Sequence, residues 1–148
     1  MQPYHAIDDG RWAAKRLDPA RLRGTYVFHS LPATGAHLAF GSDWTVAPLD
    51  SILGIYAAVT RRTLDGRHPD GWYPAEKIGV EQALRAYTAG VAYAGGAESR
   101  AGVLRPGMQA DLVLLDRDPF RVRPERLDRV RVRATVAGGR IVYERARR

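Results

Sequence analysis

The chain has no cysteine, which excludes disulfides and thiolate metal sites and leaves the redox compartment open. It has no run of eighteen or more apolar residues, so nothing in it reads as a membrane-spanning helix. Its start, Met1-Gln2-Pro3-Tyr4-His5, lacks the basic-then-apolar pattern of an export signal, which makes the cytoplasm the expected location. Lysine is nearly absent, two residues against twenty-one arginines. Histidine is sparse too: His5, His29, His37 and His68 are the full set, and none has the His-x-His or His-Glu-x-x-His spacing that marks a metal site by itself. There is no internal repeat and no low-complexity segment.

What remains is ordinary for a folded domain: 148 residues, 45% of them hydrophobic, enough for a real core. The net charge of +7 is uneven. Residues 117–148 carry eleven Arg against four acids, whereas basic and acidic side chains cancel over residues 1–116. A basic tail can attract phosphate. However, the Arg129, Arg131 and Arg133 row has no interleaved aromatics and no nucleic-acid motif, so a solvated strand face is the simpler account.

The organising stretch is Leu38-Ala39-Phe40-Gly41-Ser42-Asp43-Trp44. Its apolar start suits a short buried strand over 37–40, which Gly41 ends. Asp43 then lies just past the C-terminal end of that strand, where ligands and catalytic groups gather in strand-helix folds. A carboxylate there can hold a metal ion or move a proton. The plainer alternative is that Asp43 caps the next segment or fixes a turn. Trp44 offers a flat ring to line a pocket, or a core anchor.

Local signals predict the other elements. Residues 1–5 read as a strand end or loop, because Pro3 is barred from a helix interior. Trp12–Leu17 suits a short helix, and residues 20–33 another, with His29 inside it and Gly35 as its stop. Asp50 or Ser51 caps a helix over 51–63, ended by Arg61 and Arg62, and residues 64–79 are turn-rich. Val80, Ala83, Leu84, Tyr87, Val91 and Ala94 make one stripe over a helix at 80–94. Leu112–Leu115 reads as a buried strand, and the alternation from Arg129 as a strand with one wet face. Gly138-Gly139 is a hairpin turn, with Ile141-Val142-Tyr143 as the return strand and 145–148 fraying. Asp111 reads as a backbone-binding turn residue. The chain thus divides into strand-helix units over 1–98 and a small β-structure over 99–148.

Several stretches in this order resemble the C-terminal portion of the amidohydrolase superfamily, in its branch related to N-substituted formamide deformylases. They are Gln2-Pro3-Tyr4-His5, Gly41-Ser42-Asp43-Trp44, Glu81 to Thr88, Gly102 to Asp116, and Gly138-Gly139 with Val142-Tyr143. The resemblance implies an α/β fold: the last two strand-helix units of a (β/α)8 barrel, plus the C-terminal share of a small β-sandwich. It implies that Gln2-Pro3 follows the seventh barrel strand and that 38–40 is the eighth. It also implies a metal-dependent hydrolase of non-peptide C–N bonds with a divalent cation, Zn²⁺ in this resemblance, as one or two ions. Asp43 would be both metal ligand and proton shuttle. His5 would lie on the active face, where it could contact the small-molecule substrate, with Trp44 beside it. The remaining ligands of the family, beginning with a His-x-His, are absent from this chain. The expectation is therefore a C-terminal fragment, inactive alone, that needs a missing N-terminal part or a homo-oligomer. The alternatives are a non-catalytic subunit binding a companion chain and, more remotely, a basic nucleic-acid binder.

Overall fold

The computed structural model describes residues 1–146; the part of the predicted frayed end at 147–148 lies outside them. Five helices come first: α1 (Pro3–Asp9), α2 (Pro19–Leu22), α3 (Ser51–Thr60), α4 (Val80–Tyr87) and α5 (Ala89–Ala94). Three strands follow: β1 (Leu112–Leu115), β2 (Val132–Ala137) and β3 (Arg140–Glu144). Short 3₁₀ segments punctuate the rest. Among the described residues no helix is long and apolar enough to cross a membrane.

The helices form where capping and packing agree. The Asp50 carboxylate accepts the N–H of Ile52 at 2.9 Å and starts α3. This helix is buried on nearly every side: Ile52, Ile55, Ala58 and Val59 enter one core with Phe28, Phe40, Ile78, Ala83 and Ala86. It stops at Thr60, earlier than the spacing predicts, because Arg61 turns left-handed (φ 52°) and runs inward. α4 starts where Gln82 accepts the Gly79 N–H at 2.9 Å. The single helix expected over 80–94 breaks at Thr88 (φ −121°, ψ −88°), whose hydroxyl bonds back to the Leu84 carbonyl. The stripe accordingly holds as far as Tyr87. Beyond the break Ala92 faces inward, while Val91 is exposed.

Several other expectations are corrected. The strand-end or loop reading of residues 1–5 holds for Met1 and Gln2 only: Pro3 takes the first position of α1, where its missing N–H costs nothing. The helix predicted over 20–33 shrinks to α2, so His29 sits in a turn. Tyr26 adopts φ 52° there and cannot continue a helix. Trp12–Leu17 forms only a 3₁₀ turn, Ala13–Lys15. The alternating Arg row is divided, because Arg129 ends a 3₁₀ segment (Pro124–Arg129) and β2 begins only at Val132. That segment packs Leu127 and Val130 into the core shared with α3 and α4.

The three strands form one antiparallel sheet in the order β1-β2-β3. Gly138 and Gly139 make the hairpin with positive φ at both positions (56° and 76°). Asp111 accepts the Gly138 N–H at 2.6 Å, the backbone-binding role expected of it. The strand Leu112–Leu115 is present but not buried: Val113 and Leu114 are 55% and 60% exposed. Tyr143 and Thr135, which pair across β2 and β3, turn toward the N-terminal end of α3 around a cleft of about 280 Å³. The opposite face, carrying Leu112, Leu114, Ala134, Val136 and Ile141, meets solvent.

Candidate active site

Two extended segments meet ahead of the candidate residues. The Met1 nitrogen donates to the Ala39 carbonyl at 2.6 Å, and Gly41 N–H donates to the Met1 carbonyl at 3.0 Å. One residue bonding to both neighbours of Phe40 is the pattern of a parallel strand pair. The pairing is one bridge long, so 37–40 is an extended segment without the ladder that its apolar pattern predicts. It is held otherwise by packing: Phe40 is buried edge-on against Phe28 (5.3 Å) and Tyr87 (5.5 Å), and its N–H reaches the Ala86 carbonyl of α4 at 3.0 Å. His37, at the far end of this segment, stacks on Tyr93 at 4.4 Å, away from Asp43.

Beyond the bridge the two segments deliver His5 and Asp43 to one place. His5 lies in the first turn of α1, four residues past Met1. Asp43 lies three residues past Phe40 in a left-handed conformation (φ 58°), which Asp tolerates better than most residues. Its backbone carbonyl closes a turn by accepting the N–H groups of Val46 (2.8 Å) and Ala47 (3.3 Å). Its carboxylate caps nothing among the described hydrogen bonds; α3 is capped by Asp50 instead. The Asp43 side chain is half exposed, and its Oδ2 stands 3.8 Å from His5 Nε2. That nitrogen is buried and has no hydrogen-bond partner.

Trp44 is 65% exposed and does not border the clefts beside α5, beside Trp12 or at the start of α3. Trp72 and its loop serve packing, with Trp72 buried against Tyr26 and Tyr73. Trp12 borders a cleft of about 360 Å³ with Asp9, Arg16 and Tyr26, which is separate from the His5–Asp43 pair.

The donors present make up at most part of a metal site. A Zn²⁺-like ion binds imidazole nitrogen and carboxylate oxygen at about 2.0–2.2 Å in tetrahedral geometry, which sets two such donors roughly 3.4 Å apart. His5 Nε2 and Asp43 Oδ2, at 3.8 Å, stand wider than that. Among the described residues no group of three or more His, Cys, Asp or Glu side chains converges to complete a set.

The amidohydrolase family matches residues 1–143, and the chain belongs to that family. It is 32% identical over 146 residues to YtcJ of Bacillus subtilis (strain 168), covering 99% of this chain and 28% of that protein. It is 31% identical over 134 residues to the N-substituted formamide deformylase of Arthrobacter pascens, covering 90% of this chain and 24% of the relative. A crystal structure of an uncharacterised metal-dependent hydrolase from Pyrococcus horikoshii OT3 superposes with a TM-score of 0.71 at 31% identity, over 84% of this chain and 25% of that one. An amidohydrolase from Thermotoga maritima MSB8 shares the fold at a TM-score of 0.61 and 22% identity, over 81% of this chain and 26% of that one. The chain thus spans about a quarter of the length of the relatives it matches. The structure is an α/β fragment of the amidohydrolase fold with a small three-stranded antiparallel sheet.

Proposed function

We propose that this chain is the C-terminal portion of a metal-dependent hydrolase of non-peptide C–N bonds, with amide- or formamide-like substrates, and that Asp43 is its catalytic carboxylate. The observation that carries this is the single parallel bridge at Met1 and Phe40, with His5 and Asp43 just beyond the ends of the bridged segments. In a (β/α)8 barrel, reacting groups stand at that end of the strands. When bound, a divalent cation, Zn²⁺ in this reading, supplies polarisation of a carbonyl and acidification of water. Asp43 would help hold that cation, and its carboxylate accepts a proton from the attacking water and delivers it to the departing nitrogen. An amine leaves poorly without that proton. The exposed Trp44 ring and the His5 imidazole border the substrate's place. The reading puts the reaction in the cytoplasm.

The chain would act joined to the rest of a barrel. Its accessible surface is 9677 Å² at 16.4 kDa, on the order of 2,000 Å² more than a monomer of that mass exposes. That surplus supports attachment to the preceding part of the enzyme, as one polypeptide or as a separate subunit. It equally favours a second reading, a non-catalytic subunit docked on a companion chain.

The test is to assay hydrolysis of N-substituted formamides and simple amides with added Zn²⁺, using the chain alone and the chain joined to the N-terminal three-quarters of YtcJ. Activity is expected only in the joined form, falling about a hundred-fold or more in Asp43→Asn. A joined enzyme that is active and indifferent to Asp43→Asn refutes the assignment. A joined, folded and inactive protein favours the non-catalytic subunit.

A further inference from the structure

We propose that the cleft of about 270 Å³ between α4, α5 and residues 32–38 binds a small planar carboxylate, a benzoate-like anion, held by Arg85 and stacked beside the His37–Tyr93 pair. This site is independent of the reading of Asp43 as a catalytic carboxylate.

The cleft exists because small residues wall it. α4 ends at Tyr87, and the chain turns at Thr88 into α5. Ala86, Ala89 and Gly90 line the cleft on either side of that break. Gly90 comes so near the Leu38 carbonyl that a Cβ there would overlap the oxygen, so at that point backbone meets backbone. The two alanines leave space beside this contact. Small-ligand sites are mostly apolar with a few placed polar groups, and usually run from about 300 to 1,000 Å³. A cleft just below that range suits a ligand of one ring.

The polar groups select the charge of that ligand. No Asp or Glu lines the cleft. Arg85 supplies a cation whose planar fork matches a carboxylate. Its acidic contact, Glu81 Oε1 at 3.7 Å, joins two exposed side chains, an ion pair that contributes little in water and yields to a better-placed anion. Gln82 accepts the Gly79 N–H through Oε1 at 2.9 Å, which leaves its amide N–H groups as the free end. A cation and a donor amide with no opposing carboxylate on the wall favour an anion. The His37 and Tyr93 rings supply the plane: they stack at 4.4 Å and 25°, and both are exposed, so a further ring has a face to lie against. Arg85 precedes Tyr93 by about two helical turns, a separation that a ring bearing a carboxylate and the long arginine side chain together span.

The 148-residue chain provides the test. Isotope-labelled protein is titrated near neutral pH and at constant ionic strength with benzoate, and separately with benzamide, which has the same shape without the charge. NMR follows the Arg85 Nε–H, the Gln82 side-chain amide and the His37 and Tyr93 rings. The expected result is a saturable shift of these signals, with benzoate binding at least about tenfold tighter than benzamide, the difference a charge-assisted hydrogen bond makes. Arg85→Gln should bring benzoate down to the benzamide level. Tyr93→Ala should weaken both ligands by about threefold or more through loss of the stacking face. Both positions are exposed, so each variant should keep the wild-type amide spectrum away from the cleft. Equal binding of benzoate and benzamide to the wild-type chain overturns the anion assignment. Shifts that do not saturate, or that persist unchanged in both variants, overturn the site.

Discussion

Arg61 donates through Nε to the Trp72 carbonyl oxygen at 2.6 Å, and through Nη1 to the Tyr26 carbonyl at 2.8 Å. The guanidinium is completely buried, lies over the rings of Phe28 (5.3 Å) and Trp72 (5.6 Å), and leaves Nη2 without a partner. Burial lowers its pKa to about 10, although the nearby Glu76 and Tyr26 charges oppose that shift. One side chain thereby ties the end of α3 to two loops.

The first prediction follows from the fork. Arg61→Met fills the space but leaves the buried Trp72 carbonyl without a donor, worth about 1–3 kcal/mol, and the Tyr26 carbonyl with only the Phe28 N–H at 2.9 Å. Arg61→Lys keeps the charge but cannot present the planar fork to two acceptors. Both variants should lose about 3 kcal/mol of stability, read as a lower midpoint in urea unfolding. If Arg61→Lys behaves as wild type, the paired geometry is not what matters.

The second prediction concerns Glu76, which accepts the N–H groups of His29 and Ser30 at 3.0 Å each, together with the Ser30 hydroxyl. Burial pushes its carboxyl up, but those hydrogen bonds and the Arg61 charge outweigh it and hold the pKa below its ordinary 4.5. A carboxyl whose folded pKa is depressed binds fewer protons in the folded state, so it contributes stability above the ordinary pKa. That contribution disappears as pH falls through the folded value. Glu76→Gln should therefore destabilise at pH 7 by about 1–3 kcal/mol and lose its difference from wild type in acid. Urea midpoints at neutral and strongly acidic pH measure this; a difference constant with pH contradicts it.

These two residues also mark where sequence reading stops. The Asp50 cap, the Gly138-Gly139 hairpin and the Asp111 turn are local chemistry within a few residues, and all were legible. Arg61 reads as an ordinary C-terminal helix cation, since nothing near it in sequence announces partners at Tyr26 and Trp72. Pro3 misleads because the same ring that breaks a helix interior also opens a helix. Leu112–Leu115 has the composition of a buried strand, and composition does not reveal whether a covering layer is present. For the candidate site, Asp43 was legible as a strand-end carboxylate, but its pairing with His5 depends on the Met1–Phe40 bridge, a contact across 39 residues that no local pattern carries.

The third prediction tests the support behind Asp43. Gly90 in α5 lies against the Leu38 carbonyl so closely that an added Cβ would overlap that oxygen. Alanine normally gains about 1 kcal/mol over glycine within a helix. Here the obstacle is backbone, which yields less readily than a side-chain tip. Gly90→Ala should therefore destabilise by a net amount of about 1–3 kcal/mol and shift the amide resonances of 38–43. Gly54→Ala makes a useful contrast, because its clash is with the hydroxyl end of Tyr87. A stabilised Gly90→Ala variant would mean that the 38–43 segment is free to move.

The last prediction turns on the bare sheet. Leu112 pairs with Val136, which pairs with Ile141, and Leu114 pairs with Ala134, so these five apolar side chains share one face, with Glu144 opposite Ala134 at its margin. Leu114 and Ile141 are 60% and 66% exposed on it. Both outer strands lack a further neighbour among the described residues, which leaves unpaired N–H and C=O groups beside the apolar face. Isolated apolar residues on a surface are commonplace, but a contiguous apolar sheet face with open edges favours association. The isolated chain should therefore self-associate with increasing concentration in sedimentation velocity. Leu114→Lys with Ile141→Lys should suppress this while changing unfolding stability by no more than about 0.5 kcal/mol per site, as for solvent-facing positions. The same pair should impair joining to the rest of the barrel if that part covers this face. A large loss of stability in the isolated double variant would instead mean that the face is buried within the chain, and the surplus surface would need another explanation.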